Sequence, residues 1–360
     1  MATASYALPH TSQRAPQHRL GVVCRAIDAA WKGGRLARKR HARPDQLSPN
    51  DESVAASTTA KEPVSVSPDV WFPPEFDPGH YRSIHADLRV FSDDEVRDHY
   101  ETRGKAEGRL PNVLSTREMF RDLAVGLGSI LEIGPFTCPL FRGPNVKYFD
   151  VLDRQGLTAM AQELGVLEPD LIPEIDYVSP TGDLSIVPQS FDVIASSHAI
   201  EHQPNLVQHL NDVDRLLSPG GCYFLWIPDK RYCLDAFLAE STIADVIEAA
   251  IENRTYHTVG TLIAQEVLRS HNDPRRHWLG DHGSYPAEPA ATIHAVLALY
   301  DQTRSRGVYV DRHAWQFTPD AFRSILGLLN ELGLVALRPL RVYNTLFLSN
   351  EFWAILQKPH

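Results

Sequence analysis

The sequence has few cysteines and no long apolar segment. Its only cysteines are Cys24, Cys138, Cys222 and Cys233, and no C-x-x-C pair occurs. This spacing indicates reduced thiols and argues against a disulfide framework or a structural zinc site. No run of about 18 apolar residues is present, so no transmembrane helix is predicted. The first residues also lack the apolar core of a secretory signal, and we therefore expect a cytoplasmic protein.

Basic side chains are also fewer than acidic ones. The 360 residues include 35 Lys or Arg and 45 Asp or Glu, which gives a net charge of −10. A protein whose main activity is nucleic-acid binding needs a basic face for the phosphate backbone, so no nucleic-acid partner is expected. The distribution is uneven, because residues 1–45 hold nine basic and two acidic side chains. This asymmetry predicts two differently built regions.

Residues 1–70 are predicted to be a disordered basic tail and linker. Residues 45–70 are rich in Ser, Thr, Pro and Ala and contain no aromatic residue, which is typical of a linker. Residues 20–43 place apolar side chains at the helical period before Gly33-Gly34 interrupts it. Three interpretations remain open for this stretch: a solvated tail, an Arg-rich organellar presequence, or a peripheral contact with the inner face of a membrane.

Residues 71–112 are predicted to form a small helical module. Ser92 and Glu95 have the spacing of a capping box, so two short helices are expected here, the second ending near Gly104. The segments FDPGHYRSIHADL and HYETRGKAEGRLPN resemble a module found beside bacterial glycosyltransferases and other surface-polysaccharide enzymes. The resemblance implies a role in glycan biology. A helical pad packed on the next domain is the alternative.

Strands and helices alternate from residue 129 onward. Runs rich in β-branched and aromatic residues predict five strands, at 129–134, 146–151, 174–179, 190–197 and 222–228. An amphipathic helix that stops at Gly220-Gly221 precedes the fifth strand. After a helix from Thr318 to about Leu332, residues 335–343 and 351–358 are predicted to pair antiparallel at the sheet edge. The pattern predicts an α/β fold with a mostly parallel sheet covered on both faces.

The carboxyl ends of the predicted strands carry the candidate ligand contacts. Ligands of open parallel sheets bind beyond these ends. Asp150, at the end of the second strand, can accept hydrogen bonds from both hydroxyls of a ribose. Asp183, after the third strand, can accept one from the exocyclic amine of adenine. These positions predict a nucleoside ligand.

Over residues 113–358 the chain resembles the class I S-adenosylmethionine-dependent methyltransferases. The segments that carry the resemblance are ILEIG, YFDVLD, GDLSIVPQSFDVIASSHAIEH and LLSPGGCYFLWIP, in the order and spacing of the family's motifs. The resemblance implies a Rossmann-like seven-stranded sheet with S-adenosylmethionine as cofactor. It also implies a methyltransferase domain over residues 113–360, with a helical lid inserted at about 230–317.

Carried over residue by residue, the resemblance implies cofactor contacts at the strand ends, from Glu132, Gly134, Pro135, Phe136, Asp150, Asp183, Leu184 and Ser197. Phe136 and Cys138 stand where the family has further glycines, which allow a ligand to approach the backbone closely. This departure leaves a second interpretation open, a non-catalytic methyltransferase-like scaffold in polysaccharide assembly.

His198, Glu201 and His202 match the inverted zinc-protease pattern H-x-x-E-H. That pattern requires one helix that presents both histidines. Here a predicted strand leads directly into His198 and Pro204 follows soon after, so the context is wrong for a metalloprotease. We assign no metal ligand to these residues.

The predicted lid contains a loop rich in imidazole and carboxylate groups: His271, Asp273, His277, Asp281 and His282. Such a loop can bind a divalent metal, supply a general base, or simply form internal hydrogen bonds. Saccharide binding fits best, since aromatic rings stack on pyranose faces while polar groups bind the hydroxyls. Trp278, Tyr285, His313 and Trp315 are the expected members of that wall.

The sequence thus predicts methyl transfer to a hydroxyl of a saccharide or lipid-linked glycan. A sugar hydroxyl needs a base before it attacks, and the candidates are His198, His277 and His282, in that order. Methylation of a small molecule or a protein is an alternative within the enzyme class.

Overall fold

The computed structural model describes residues 71–165, 171–285, 288–306 and 310–360. The predicted tail and linker, including the membrane contact proposed for residues 20–43, lie outside these ranges. Within the described ranges, no helix has both the length and the apolar character needed to cross a membrane.

Seven strands form one sheet in the order β3-β2-β1-β4-β5-β7-β6. The strands are β1 (Ile130–Ile133), β2 (Val146–Asp150), β3 (Tyr177–Val178), β4 (Phe191–Ser197), β5 (Leu217–Pro228), β6 (Arg338–Tyr343) and β7 (Glu351–Gln357). β1 to β5 pair in parallel, whereas β7 runs antiparallel to both β5 and β6. The predicted α/β fold with an antiparallel edge pair is confirmed.

The fifth strand begins earlier than the sequence predicts. Leu217 already pairs with Phe191, and the register shifts before Val193 pairs with Cys222. Gly220 has φ +74 and lies inside this irregular stretch. The glycines therefore shape an irregular ladder within β5 instead of separating the helix from the strand.

The helices that surround the sheet are α1 (Pro78–Ile84), α2 (Asp93–His99), α3 (Arg117–Asp122), α4 (Arg154–Glu163), α5 (Leu206–Leu216), α6 (Ile243–Ile251), α7 (Val259–Val267), α8 (Pro274–Trp278), α9 (Pro289–Arg306) and α10 (Pro319–Glu331). Between β1 and β2 the described chain forms turns and no helix. The lid segment between β5 and α10 is helical, as predicted.

The largest core lies between the sheet and helices α5 and α10. Leu210 and Val213 of α5 and Phe322 and Leu326 of α10 are fully buried in it. Full burial of such side chains contributes about 1.5–3 kcal/mol each. The spacing of these residues is the 3.6-residue period seen in the sequence. Burial of these faces fixes both helices on the sheet.

The N-terminal module has a small core of its own: Phe76, Tyr81, Leu88, Val96 and Tyr100. The capping box at the start of α2 is present, with the Ser92 and Glu95 side chains each bonded to the other's backbone amide. The helix continues past α2 through one π-helical turn that ends at Gly104, near the predicted end.

The module is packed against the sheet. The ring of Phe72 meets the ring of Phe224 in β5 edge to face, with centroids 5.8 Å apart. Glu75 pairs with Arg323 of α10 at 3.0 Å and accepts the backbone amide of Val342 at 2.7 Å. These contacts connect the module to both the sheet and a covering helix.

Candidate active site

Glu132 is buried within β1 and closes the loop that follows the strand. Its two carboxylate oxygens accept the backbone amides of Leu140 at 2.7 Å and Phe141 at 3.1 Å. Burial raises the pKa of Glu132 to about 7, although these hydrogen bonds act in the opposite direction. The carboxylate therefore holds the loop, and its contact with a cofactor remains a prediction.

The turn after β1 keeps a glycine-like backbone with only one glycine. Gly134 has φ +71 and its amide donates to the carbonyl of Phe149 at 2.9 Å. Phe136 has φ +42, a conformation that side chains rarely adopt. Its ring is buried in a cluster with Leu157 and Ala161 of α4. Packing of that ring compensates for the backbone strain, and Pro135 between these two residues is also buried.

The two acidic candidates lie beyond neighbouring strands. Asp150 is 2% exposed, and its Oδ1 accepts the amide of Val151 at 2.7 Å. Asp183 caps a short 3-10 helix, since its carboxylate accepts hydrogen bonds from the backbone amide of Ser185 at 2.8 Å and from the Ser185 hydroxyl at 2.9 Å. The next residue, Leu184, is buried. Asp183 therefore stabilises this turn, and its contact with adenine remains a prediction.

The strand-end residues suit a nucleoside cofactor. β3, β2, β1 and β4 are consecutive in the sheet, so Asp183, Asp150, Gly134 and Ser197 come to the same edge. A buried carboxylate beside a left-handed glycine turn combines an acceptor for ribose hydroxyls with close access to backbone. These residues would hold the nucleoside part of S-adenosylmethionine.

A buried ionic cluster joins the end of β4 to the start of β7. Glu351 accepts hydrogen bonds from Arg117 Nη1 at 2.6 Å, His198 Nε2 at 2.9 Å and Trp353 Nε1 at 3.0 Å. Arg117 also donates to the hydroxyl of Ser197. Burial opposes ionisation of Glu351, but Arg117 and His198 outweigh it and hold its pKa below the usual range.

Sequence reasoning missed Glu351 and Arg117. The only available signal for Glu351 was an acid at the start of an otherwise apolar strand, EFWAILQ. Nothing in the sequence marks Arg117, which reaches the site from the first turn of α3. His198 itself has φ +51, so the chain turns sharply as it leaves β4.

The lid histidines bind one another. His277 Nε2 donates to the carbonyl of His271 at 3.0 Å, and the Nδ1 atoms of His277 and His282 share a hydrogen bond of 2.8 Å. Burial lowers the pKa of His277 to about 4, so its ring is neutral near pH 7. Both of its nitrogens already have partners. The roles of His277 and His282 as bases remain predictions.

Aromatic residues of the lid lie next to the ionic cluster. Trp278 stacks on Tyr232 with centroids 3.9 Å apart, and its Nε1 donates at 2.8 Å to the carbonyl of Ser349, two residues before Glu351. Tyr285, which is 62% exposed, stacks on Phe237 at 4.4 Å. Tyr285 is thus accessible to a ligand, whereas Tyr232, Phe237 and Trp278 are partly buried.

Two residues expected beside these aromatic rings are elsewhere. His313 and Trp315 are each only 3% exposed. Trp315 Nε1 donates to the carbonyl of Gln203 at 2.7 Å, and His313 contacts Asp235. Their placement in a saccharide-binding wall was wrong, because both side chains are buried within the lid.

The H-x-x-E-H residues do not share a helix. Glu201 and His202 belong to a 3-10 turn of three residues, Ile200–His202, which His198 precedes. This geometry differs from the helical pair of a metalloprotease, as the sequence context predicted.

A protein-family model matches part of the chain. Residues 142–225, which run from the loop before β2 into β5, match a family described as "Methyltransferase domain". This match agrees with the predicted enzyme class, an S-adenosylmethionine-dependent methyltransferase. Its acceptor is not specified by the match.

Solved methyltransferase structures are similar over much of the chain. The CcbJ methyltransferase from Streptomyces caelestis is 10% identical, with a TM-score of 0.35, over 74% of this chain and 96% of its own. An S-adenosylmethionine-dependent methyltransferase from Clostridium acetobutylicum is 11% identical, with a TM-score of 0.34, over 74% and 99%.

The match to the CurJ carbon methyltransferase covers 65% of this chain and 49% of that one, at 16% identity and a TM-score of 0.30. These values identify no substrate for this chain. No curated protein sequence matched significantly.

Proposed function

We propose that this methyltransferase transfers a methyl group to a hydroxyl of a saccharide or glycan. The observation that carries the proposal is the pairing of His198 with the buried carboxylate of Glu351, beside Ser197 at the edge where the cofactor residues meet. A histidine oriented by a carboxylate is suited to remove a proton from a hydroxyl.

His198 is the proposed general base. Its Nε2–H donates to Glu351, so the neutral ring carries its lone pair on Nδ1. Nδ1 would take the proton of the acceptor hydroxyl, and Glu351 would stabilise the resulting imidazolium. S-adenosylmethionine, when bound, supplies the methyl group on an electrophilic sulfonium. Arg117 positions Glu351 through the ion pair described above.

The aromatic rings of the lid support a saccharide acceptor. The Tyr232–Trp278 and Phe237–Tyr285 pairs supply stacked aromatic rings in the lid, and Trp278 is bonded to the carbonyl of Ser349, two residues before Glu351. Such rings stack on the C–H faces of pyranoses. The net charge of −10 suits a neutral acceptor better than a polyanion.

The test combines binding with transfer. We expect calorimetry to show binding of S-adenosylmethionine and of its demethylated product, and methyl-labelled cofactor to label an added oligosaccharide. No binding at millimolar cofactor would contradict the enzyme assignment. Binding followed by label only on a protein or a small molecule would contradict the saccharide acceptor alone.

A non-catalytic scaffold is the second candidate. The observation that favours it is that Glu132 and Asp183, two of the predicted cofactor residues, already bond to their own loops. The same calorimetry distinguishes the two functions, since a scaffold that has lost its cofactor binds neither ligand.

A further inference from the structure

Glu201 has a buried carboxylate that lacks a hydrogen-bond donor. The residue is 0% exposed, and among the described residues neither of its side-chain oxygens has a hydrogen-bond partner. Burial of a carboxylate that accepts no hydrogen bond is strongly unfavourable. A group of this kind requires a partner that the protein chain does not supply.

Imidazole nitrogens surround this carboxylate. His202 Nε2 lies 3.5 Å and His313 Nε2 lies 3.9 Å from Glu201 Oε1, and both rings are at least nine-tenths buried. One ligand atom from each of these three residues can be chosen so that all lie within 4.8 Å of one another. Two atoms bound tetrahedrally to one zinc ion, each at about 2.1 Å, lie about 3.4 Å apart. The spacing is therefore close to that of a metal site.

The outward nitrogen of each histidine is held by a second carboxylate. His202 Nδ1 lies 2.8 Å from Asp311 Oδ1, and His313 Nδ1 lies 2.6 Å from Asp235 Oδ2. Asp235 is in turn fixed by the amide of Gln265 at 2.7 Å. Carboxylates in this position orient metal-binding histidines and fix the tautomer in which the other nitrogen can coordinate a metal.

We propose that Glu201, His202 and His313 bind a divalent transition-metal ion, with zinc the best match to two imidazoles and one carboxylate. His198 lies near the proposed site, because its Nδ1 is 3.9 Å from Glu201 Oε1. Neither the H-x-x-E-H spacing nor the family match includes His313, which comes from 111 residues further along the chain. The site does not depend on the acceptor proposed above.

The metal ion would connect the lid to the sheet. Glu201 and His202 follow β4, whereas His313 and both supporting aspartates belong to the lid. Backbone hydrogen bonds already join the lid to this turn, since the amides of Ala314 and Trp315 donate to the carbonyl of Glu201 at 2.7 Å and 3.2 Å. An ion that binds only the folded chain stabilises it, so its removal should loosen the lid.

The test is metal content and stability of the full-length protein. We expect elemental analysis to find about one zinc per chain, or cobalt(II) added to chelator-treated protein to give the visible spectrum of a tetrahedral site. Chelation should lower the melting temperature and speed proteolysis within residues 230–317. Glu201→Gln and His313→Asn should lose the ion, and Asp235→Asn should bind it about 10–100-fold more weakly.

His209→Asn is the matched control. His209 is also buried, but it bonds to Tyr223 and is not among the proposed ligands, so this variant should retain the metal. The Asp235→Asn measurement keeps the test decisive if a ligand variant does not fold. The proposal is overturned if the wild-type protein binds neither zinc nor cobalt, or if binding is lost in His282→Asn and kept in His313→Asn.

Discussion

Single residues at this site combine structural and chemical duties. Glu351 is the clearest case, because one buried carboxylate holds Arg117, His198 and Trp353 together. Phe136 adopts a backbone conformation that is common only for glycine, and the packing of its buried ring offsets the strain. Glu132 is held neutral over part of the physiological pH range by its burial.

Replacement of Glu351 by Gln tests its role in positioning His198. The amide cannot stabilise an imidazolium, so we expect kcat to fall about 100-fold or more while the Kd for S-adenosylmethionine changes little. Glu118→Gln, on the exposed face of α3, is the control and should keep full activity. Equal losses in kcat and in cofactor affinity, with native circular dichroism, would argue for a purely structural role.

The raised pKa of Glu132 predicts a pH-dependent stability. The folded protein retains a proton on Glu132 up to a pKa of about 7, whereas the unfolded chain releases it near 4.3. Stability from this group is therefore highest below pH 4 and decreases as the pH rises to 7, by about 3 kcal/mol in total.

Urea unfolding of the wild type and Glu132→Gln at several pH values measures this effect. The difference between the two free energies of unfolding should shift by about 3 kcal/mol between pH 4 and pH 8. Glu163→Gln, at an exposed position on α4, should show no such shift. A difference that stays constant with pH would mean that Glu132 ionises normally in the folded state.

At the scale of elements, apolar periodicity fixes which face of each helix is buried. Helix α5 begins at the side-chain cap of Asn205 and buries one face between the sheet and α6 and α10. Helix α10 begins at Thr318 in the same way. The start of α10 was predicted at Thr318, where a capping residue precedes an apolar period.

Leu210→Ala tests the contribution of the α5 face. Leu210 is 0% exposed, so its truncation leaves a cavity and should reduce the free energy of unfolding by about 2–5 kcal/mol. Gln208→Ala on the exposed face of the same helix should change it by about 0.5 kcal/mol or less. Similar effects of the two substitutions in denaturant titrations would contradict the burial described for α5.

At the scale of the whole molecule, the helical module and the sheet are packed together. Phe72 lies in the cluster on one face of the sheet, and Arg341 donates to the carbonyls of Phe72 and Pro73 at 3.2 Å and 3.0 Å. A covering segment bound through both apolar and polar contacts should not unfold independently. These contacts are those expected of a helical pad packed on the next domain, the alternative interpretation of residues 71–112. The association of the module with glycans remains a prediction.

Calorimetric unfolding tests that packing. We expect residues 71–360 to melt in one transition, and Phe72→Ala to lower the stability of the whole by about 3–5 kcal/mol. Trp71, which is 69% exposed, is the neighbouring control, and its replacement by Ala should have little effect. Two separate transitions in the wild-type protein would show that the module is an independent unit.

The local features of this protein could be predicted from its amino-acid sequence. Period-2 and period-3.6 apolar patterns located the strands and helices, and the order of motifs around Gly134, Asp150 and His198 indicated the methyltransferase fold. These signals are readable because they depend on neighbours along the chain. Only the tertiary structure brought Glu351 and Arg117 to His198, and His313 to Glu201. Those pairs are far apart in sequence, and their burial, partners and charge states depend on how the lid and the edge strand fold back onto the end of β4.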